Sequence, residues 1–356
     1  MIDLFFQGNL QSLKNEIKTE ALCLGFSHIG FTNPENPVHF DTFLEWINKG
    51  YAAKMDYLKR PDSIARRKDP KLILPACESI IVLALPYTPP GFEKRDNKFP
   101  KIANYAIGDD YHIIIPVLLE KLVKSIISKV NPIEVEYRIY TDTGPILEKE
   151  FAQKAGLGWI GKNTCLIIPE AGSFFFLAEI LINLPFDPDS VFEKDFCGNC
   201  TRCIDSCPTN CILQNRTIDA NRCISYLTIE NRGSIPEELR KKINGWIFGC
   251  DICQQVCPWN IKFSKEPDPN FFQTSENVKK FDLVYELKID KSEFKNKYLK
   301  SPIYRAKYQG YIRNLLVAAG NNFHTKMVEP ILSIMNNDEN PELQDLATWV
   351  LKNKYE

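Results

Sequence analysis

Two segments in the first half of the chain have hydrophobic patterns typical of β-strands. In I-E-V-E-Y-R-I-Y-T-D (133–142) apolar residues alternate with charged ones, which predicts a strand with one buried face. S-I-I-V-L-A-L-P (79–86) is apolar throughout, as expected of a central strand that is buried on both faces. A sheet is therefore expected in this half of the chain.

Helices are predicted around these strands. Residues 112–127 keep apolar side chains at helical spacing from Ile115 onward. After the second strand, Pro145 stands where a first helical turn begins, and the following segment runs to a glycine stop at Gly156. Residues 1–185 are therefore predicted to form a mixed α/β domain.

The rest of the chain differs in pattern. Residues 186–265 contain most of the cysteines, short loops and little apolar sequence for a core of their own. Residues 266–356 are poor in strand patterns, and 301–321 and 329–352 predict paired amphipathic helices that resemble a HEAT-type repeat. We therefore expect three regions, of which the last is an α-helical, HEAT-like C-terminal region.

Length and charge restrict the function classes only weakly. The 356 residues suffice for two or three domains, and a formal net charge of −1 gives the whole chain no preference for a polyanion. Two local patches are basic: Lys54–Lys71 has seven Lys/Arg against three Asp/Glu, and Lys288–Arg313 has eight against two. Each patch fits a solvated surface as well as a phosphate-binding one.

The start of the chain, M-I-D-L-F-F-Q-G-N-L, lacks the basic segment and cleavage site of a signal peptide. The sequence also contains no apolar run long enough to span a membrane. We therefore expect a cytoplasmic protein without a membrane partner. Clustered cysteines in such a chain more often bind metal or act in redox chemistry than form disulfides.

Two cysteine runs carry the most specific signal. C-G-N-C-T-R-C-I-D-S-C-P (197–208) has the spacing of bacterial ferredoxins, in which the fourth cysteine ligates the other cluster. C-D-I-C-Q-Q-V-C-P (250–258) has the same ending, but Ile247 stands where another ligand is needed, and Cys223 is the nearest substitute. A zinc site or a disulfide framework is the disfavoured alternative.

This spacing predicts two 4Fe-4S clusters. The ligands predicted for cluster one are Cys197, Cys200, Cys203 and Cys257, and those predicted for cluster two are Cys207, Cys223, Cys250 and Cys253. The remaining thiols, those of Cys23, Cys77, Cys165 and Cys211, are expected to be ordinary buried or indifferent cysteines. Cys211 fits neither ligand set.

Longer motifs identify a family. D-T-G-P-I-L-E-K-E-F-A-Q-K-A-G-L-G-W-I-G-K-N (142–163), A-G-S-F-F-F-L (171–177), C-I-S-Y-L-T-I-E (223–230) and W-I-F-G-C-D-I-C-Q (246–254) closely resemble epoxyqueuosine reductase. The resemblance implies an enzyme that carries cobalamin and two 4Fe-4S clusters. It further implies a cobalamin-binding α/β domain and removal of the epoxide oxygen of epoxyqueuosine at the wobble position of tRNA.

The resemblance also implies roles for individual residues. Asp142 is the candidate proton donor to the opening epoxide, and its alternative role is to cap the helix after it. The residues expected to line the cofactor and substrate pocket are Tyr105, Lys162, Asn163, Ser173, Phe248, Gly249 and Asp251, with Tyr111 as a further candidate. Tyr105 and Tyr111 fit plain packing equally well.

His112 is expected to be structural. The D-x-H-x-x-G motif of proteins that ligate cobalt through histidine is incomplete, because Ile115 stands where the motif requires glycine. The resemblance implies that cobalamin is bound without a histidine on cobalt.

The expected partners are tRNA carrying epoxyqueuosine and an external low-potential electron donor, with the chain as a monomer. Lys295, Lys297, Lys300, Arg305, Lys307 and Arg313 are the predicted contacts to tRNA phosphates. Two alternatives stay open from the residues: a cobalamin-dependent reductive dehalogenase, and a ferredoxin-type electron carrier without enzyme activity.

Overall fold

The protein is described by a computed structural model over residues 4–87, 100–265 and 273–353, with the backbone alone for residues 4–9. The predicted boundaries at residues 1, 266 and 356 lie outside the described residues. The strands, numbered in chain order, are β1 (His28–Thr32), β2 (Ser79–Pro86), β3 (Lys101–Ile102), β4 (Tyr137–Tyr140), β5 (Trp159–Ile160), β6 (Leu166–Ile167), β7 (Phe175–Ile182) and β8 (Trp246–Phe248).

Helices make up most of the remaining regular structure. The α-helices are α1 (Leu4–Cys23), α2 (Phe40–Asn48), α3 (Pro61–Lys68), α4 (Tyr111–Val130), α5 (Glu148–Lys154), α6 (Arg202–Asp205), α7 (Ile224–Ile229), α8 (Glu237–Ile243), α9 (Ile252–Gln255), α10 (Pro258–Phe263), α11 (Glu276–Lys279), α12 (Leu283–Glu286), α13 (Lys291–Tyr298), α14 (Lys307–Asn321), α15 (Val328–Asn337) and α16 (Pro341–Lys352). Among the described helices, none combines the length and the apolar character needed to cross a bilayer.

Four strands form an antiparallel sheet in the order β1–β2–β7–β4. The prediction of a central strand at 79–86 is confirmed, because β2 spans Ser79–Pro86, pairs on both sides and is buried up to Leu85. Side chains alternate across it: Ile81 and Leu83 join a core with α1 and α4, whereas Ile80 and Val82 join a core with α5. The sheet is therefore covered on both faces.

The edge strand β4 is shorter than the predicted segment 133–142. It pairs with β7 only over Tyr137–Tyr140. Ile133, at the start of the alternating pattern, is 36% exposed. The alternating pattern therefore predicts a longer strand than the structure has, since the first residues of the segment have no neighbouring strand to pair with.

The helix predicted at 112–127 is confirmed as α4. It begins at Tyr111, because the carboxylate of Asp110 accepts the backbone N–H of His112 at 3.1 Å and caps the first turn. The next helix begins later than predicted. It starts at Glu148 rather than at Pro145.

The cysteine region has no separate hydrophobic core. One buried cluster runs from Ala103 to Val350 and joins β8 and α7 to α14 and α16. The parallel pair of β3 and β8 adds a backbone connection to the first half of the chain. The three predicted regions are therefore packed together across the predicted boundary at residue 185.

The C-terminal helices α14, α15 and α16 pack on one another, as the paired-helix pattern predicts. Arg313 of α14 is only 4% exposed and donates hydrogen bonds to the carbonyls of Leu227, Asn231 and Gly233. The prediction that Arg313 contacts tRNA phosphates is therefore wrong. A buried guanidinium needs such acceptors, and here it ties α14 to the end of α7.

Candidate active site

A cavity of about 1100 Å³ lies where the end of the central sheet meets α3, α4 and α7. Its wall carries aromatic side chains, including Tyr105, Tyr111 and Phe176. The rings of Tyr111 and Phe176 stack with their centroids 4.3 Å apart. Asp142 and Cys223 also lie on this wall. The cavity thus joins a titratable carboxyl group to one of the predicted cluster cysteines.

Asp142 follows β4 in a left-handed backbone conformation with φ of 61°, a region that Asp and Asn enter more readily than most residues. Its side chain is 53% exposed, toward the cavity. The hydroxyl of Tyr111 donates to its Oδ2 at 2.9 Å. The alternative that Asp142 caps α5 is contradicted, because Leu147 is the residue before that helix and no side chain caps it.

His112 lies behind Asp142. Its Nε2 is 3.1 Å from Oδ2 of Asp142, and its Nδ1 is 2.7 Å from Oδ1 of Asp110. Since both ring nitrogens face carboxylate oxygens, both are donors in the charged imidazolium. Burial lowers the pKa of His112, but the hydrogen bonds to Asp110 and Asp142 outweigh it, so the pKa is raised. The expectation that His112 is merely structural is wrong in one respect: it contacts the candidate proton donor.

These neighbours decide the charge of Asp142. Burial favours the neutral carboxyl, but hydrogen bonds from His112 and Tyr111 and the positive charge of Arg305 outweigh it, so the pKa of Asp142 lies below its usual value. The guanidinium of Arg305 is 3.8 Å from Oδ2. Both shifts favour the ion pair, in which His112 carries the proton and Asp142 is ionised.

The four predicted ligands of cluster one surround a separate cavity of about 110 Å³, several times the volume of a water molecule. Its wall contains Cys197, Cys200, Cys203 and Cys257, and the indole Nε1 of Trp159 donates to Sγ of Cys197 at 3.5 Å. In the described part of the chain, no three His, Cys, Asp or Glu side chains converge on a point that would hold a single metal ion. The space between the thiols fits a multinuclear cluster.

One predicted ligand of cluster two, Cys223, lines the large cavity. The charges of Cys207 and Cys223 each act on the thiol of Cys250. The charges of Cys250 and Cys223 raise the pKa of Cys253, although a hydrogen bond with Cys165 contributes more. The four thiols that the spacing assigns to one cluster are thus near enough to affect one another electrostatically.

Two other cysteines lie closer to this group than the sequence suggests. Sγ of Cys211 is 3.4 Å from Sγ of Cys207, and the hydrogen bond between them lowers the pKa of Cys207 to about 5. Cys165 lies on the wall of the large cavity beside Cys253. The C-P-T-N-C spacing is the signal that could have placed Cys211 here, whereas nothing local marks Cys165.

Four of the predicted site residues line the large cavity: Tyr105, Tyr111, Asp142 and Ser173. Lys162 instead donates to the carbonyls of Gly198 and Cys200, at 2.6 and 3.0 Å, and so supports the first cysteine run. It lines the small cavity of cluster one.

The other four predicted pocket residues also lie away from the large cavity. The side-chain amide of Asn163 donates to the carbonyl of Cys253, at 3.4 Å. Phe248 is fully buried in the core, and the carboxylate of Asp251 accepts the backbone N–H of Asn104 at 2.6 Å. At Gly249, with φ of 64°, a Cβ atom would lie 2.5 Å from that of Ala103, so the glycine permits close packing rather than forming a pocket wall.

Basic side chains from both predicted patches meet at the cavity. From the first patch, Arg60 and Arg66 line it, and from the second, Arg305 and Lys307. Lys295 and Lys300 are exposed elsewhere, and Lys297 pairs with the buried carboxylate of Glu286. Four residues of the predicted phosphate-contacting group thus lie away from the cavity: these three lysines and the buried Arg313.

Comparisons with known proteins show which proteins this chain is similar to. The family model "Epoxyqueuosine reductase QueG, DUF1730" matches residues 67–143, and the model "4Fe-4S double cluster binding domain" matches residues 196–260. Epoxyqueuosine reductase of Cyclobacterium marinum is 39% identical, with 84% of this chain and 94% of the relative covered. That of Aliivibrio fischeri is also 39% identical, with 97% of this chain and 92% of the relative covered.

The chain is also similar to solved structures of epoxyqueuosine reductases. A selenomethionine-labelled epoxyqueuosine reductase superposes with a TM-score of 0.86 at 30% identity, over 97% of this chain and 91% of the other. An epoxyqueuosine reductase bound to a tRNA-Tyr stem loop with epoxyqueuosine superposes with a TM-score of 0.83 at 29% sequence identity. The superposition covers 97% of this chain and 90% of the other. The Bacillus subtilis epoxyqueuosine reductase, with its catalytic aspartate loop swung out of the active site, superposes with a TM-score of 0.82 at 30% sequence identity. The superposition covers 97% of this chain and 91% of the other.

The two-cluster assignment predicts the iron content of variants. Anaerobically reconstituted protein should bind about eight iron atoms, as two 4Fe-4S clusters require. Cys223→Ala should bind about four, because cluster two loses a ligand. Cys211→Ala, which removes a neighbouring thiol outside both ligand sets, is the matched control and should keep about eight. Iron analysis together with the cluster absorption spectrum measures both, and full iron content in Cys223→Ala would contradict the assignment.

Proposed function

This chain belongs to the epoxyqueuosine reductase family, and we propose that it reduces the epoxide of epoxyqueuosine in tRNA to give queuosine. One observation carries the proposal beyond the family likeness. A single cavity has a candidate proton donor, Asp142, and a candidate cluster ligand, Cys223, on its wall. A reductive dehalogenase or a plain electron carrier would not need this family's motifs across the whole chain.

The reaction defines what the site must supply. Converting an epoxide to an alkene takes two electrons and two protons, and the oxygen leaves as water. Cysteine-ligated clusters reach low potentials, and one predicted ligand of cluster two, Cys223, lies on the cavity wall. We propose that the eight predicted cysteine ligands would hold two clusters, which would supply electrons from an external low-potential donor, with Cys223 holding cluster two beside the cavity.

We propose that cobalamin is the group that receives them. The cavity, at about 1100 Å³, exceeds the usual range for one drug-sized ligand, as a site for a large cofactor should. The aromatic side chains of Tyr105, Tyr111 and Phe176 provide an apolar surface for a flat macrocycle. When bound, a reduced corrin supplies a strongly nucleophilic cobalt, which no side chain can provide.

Asp142 and His112 would act together as the acid. The imidazolium of His112 holds the proton, and Asp142 lies between it and the cavity. As the epoxide oxygen gains negative charge, the proton moves from Nε2 of His112 to the carboxylate and from the carboxyl to the oxygen. The catalytic aspartate loop of the Bacillus subtilis relative supports an aspartate in this role.

The cavity mouth would receive the tRNA. Arg60, Arg66, Arg305 and Lys307 place positive charge around the opening. Phosphate contacts from such residues give affinity and orientation without reading the base sequence. We propose that the basic rim, defined as these four residues, holds the anticodon stem loop while the modified base enters the cavity. The helical, HEAT-like C-terminal region supplies two of the four.

The function can be tested in cells. A host that lacks this gene should accumulate epoxyqueuosine in its tRNA and lose queuosine, because the last reduction is missing. Mass spectrometry of digested tRNA nucleosides measures both, and the reintroduced wild-type gene should restore queuosine. Unchanged queuosine in the deletion strain would contradict the function.

Asp142→Asn should keep the fold and both clusters but reduce the rate by about 10²–10⁴, the usual contribution of a general acid. Asn tolerates the left-handed backbone at this position and still accepts hydrogen bonds, but it cannot pass a proton on. Single-turnover conversion by pre-reduced enzyme is the measurement, since it removes electron supply as a limiting step. Asp109→Asn, at an exposed carboxylate in the loop before α4, is the control. If Asp142→Asn converts substrate within a few-fold of the wild-type rate, the proton comes from elsewhere.

The basic rim predicts salt-dependent tRNA binding. A triple variant with Arg60→Gln, Arg66→Gln and Lys307→Gln should bind the tRNA more weakly and reduce the salt slope of log Kd by about one for each phosphate interaction that is removed. The control is Lys291→Gln, Lys295→Gln and Lys300→Gln, three exposed lysines that do not line the cavity. Equal affinities of the two triple variants, titrated over several salt concentrations, would remove the rim from the tRNA interface.

A further inference from the structure

Glu179 is an unusual residue for its position in the fold. It lies in the middle of β7, opposite Val82 of β2 and Tyr140 of β4, and is fully buried. Neither of its carboxyl oxygens has a hydrogen-bond partner among the described residues. Buried polar groups without partners are rare and costly, so this carboxyl group requires an explanation.

Glu148 is the neighbouring carboxyl group. The side chains of β7 alternate between the two faces of the sheet, and Glu179 points to the face covered by α5, whose first residue is Glu148. After burial, the charge of Glu148 contributes most to raising the pKa of Glu179 well above its usual value. Glu148 itself lies on the wall of the large cavity. The pair therefore connects the interior of the sheet to the site.

The environment keeps a proton on this pair. Burial, followed by the negative charge of Asp142, raises the pKa of Glu148 to about 8. Two carboxyl groups side by side in a buried setting do not both ionise at neutral pH. The other charged groups that act on Glu148 are Lys149, His112 and Arg67, and they do not reverse the shift.

Glu148 is also connected to Asp142. The backbone N–H of Asp142 donates to Oε1 of Glu148, which leaves the other oxygen to carry the carboxyl proton. Asp142 thus lies between two groups that can each carry a proton, the imidazole of His112 and the carboxyl of Glu148. Two such groups match the two protons that the reduction consumes.

We propose that Glu148, backed by Glu179, stores the second proton of the reaction and delivers it to the departing oxygen beside Asp142. The proposal rests on the proposed function. The oxygen keeps both carbon–oxygen bonding pairs and takes two protons to leave as water, while the two electrons from the clusters become the new carbon–carbon π bond. His112 supplies the first proton through Asp142, Glu148 supplies the second, and both regain protons from water after the product leaves.

Glu148→Gln tests whether Glu148 delivers the second proton, because Gln keeps the oxygen that accepts the Asp142 N–H but has no acidic proton. In single-turnover conversion by pre-reduced holoenzyme, the wild-type rate should fall as pH rises through about 8, where Glu148 loses its proton. The Gln variant should be slower at neutral pH by roughly tenfold to a hundredfold, near the lower end of the range for an acid catalyst because water can replace it. Its rate should lack the part of the decline that belongs to Glu148 near pH 8 and should keep only the pH dependence that comes from His112.

Two further variants separate this role from a structural one. Glu148→Asp keeps a proton-carrying group and should recover part of the rate, and it also serves if the Gln variant does not fold. Glu150→Gln is the matched control: Glu150 lies on the same helix, is buried, and accepts the backbone N–H of Val38 at 2.9 Å, away from the cavity. It should leave the pH profile unchanged. A Glu148→Gln variant with the wild-type rate and profile would overturn delivery by Glu148.

Infrared difference spectra of the holoenzyme test whether Glu148 holds a proton, independently of the reaction. Wild type should show a carboxyl C=O band that disappears with a midpoint near pH 8, and Glu148→Gln should lack it. If wild type has no such band, the store is overturned whatever the activity. If wild type has the band but does not convert epoxyqueuosine, the proposed function and delivery both fail while the buried carboxyl pair stands.

Discussion

The chemistry of the cavity depends on a row of alternating charges: Asp110, His112, Asp142 and Arg305. The imidazolium lies between two carboxylates, at 2.7 and 3.1 Å, and the guanidinium is 3.8 Å from the second of them. Opposite charges at these distances favour one another's ionised forms. Each member therefore fixes the protonation of the next, and a proton stays one hydrogen bond away from a carboxylate that faces the cavity.

This row is assembled from three distant parts of the chain. Asp110 caps α4 and His112 lies in its first turn, Asp142 follows β4, and Arg305 comes from the 3₁₀ turn before α14. The position of Arg305 is set by the core that the C-terminal helices share with β8. The helical region is thus part of the active site, since its packing decides where one of the four charges lies.

The candidate proton-carrying groups and the predicted cluster ligand on the cavity wall come from different parts of the fold. Asp110, His112, Asp142 and Glu148 belong to the sheet and the helices next to it, whereas Cys223 precedes α7 in the cysteine region. Arg313 holds the far end of α7 through buried hydrogen bonds to backbone carbonyls, so the cluster side cannot shift independently of α14. A reductive reaction benefits from this separation, because a strongly reduced centre would otherwise be exposed to nearby acids.

Features carried by contiguous residues could be predicted from the sequence. The cysteine runs predict their clusters because ligand spacing is a local property, and the apolar segment 79–86 predicts a strand buried on both faces. The family motifs likewise identified Asp142. What failed or was missed depends on partners remote in sequence. The charge pattern could not distinguish the buried Arg313 from the cavity-lining Arg305.

Lys162, in a glycine-rich segment expected to line the cofactor pocket, instead supports the first cysteine run. Glu179 was hidden in an apolar strand, and its importance depends on Glu148, thirty-one residues earlier in the chain. Local periodicity records whether a residue belongs on a helix, a strand or a metal-binding loop. The charge and proton content of a side chain depend on which groups surround it, and only the tertiary structure brings those groups together.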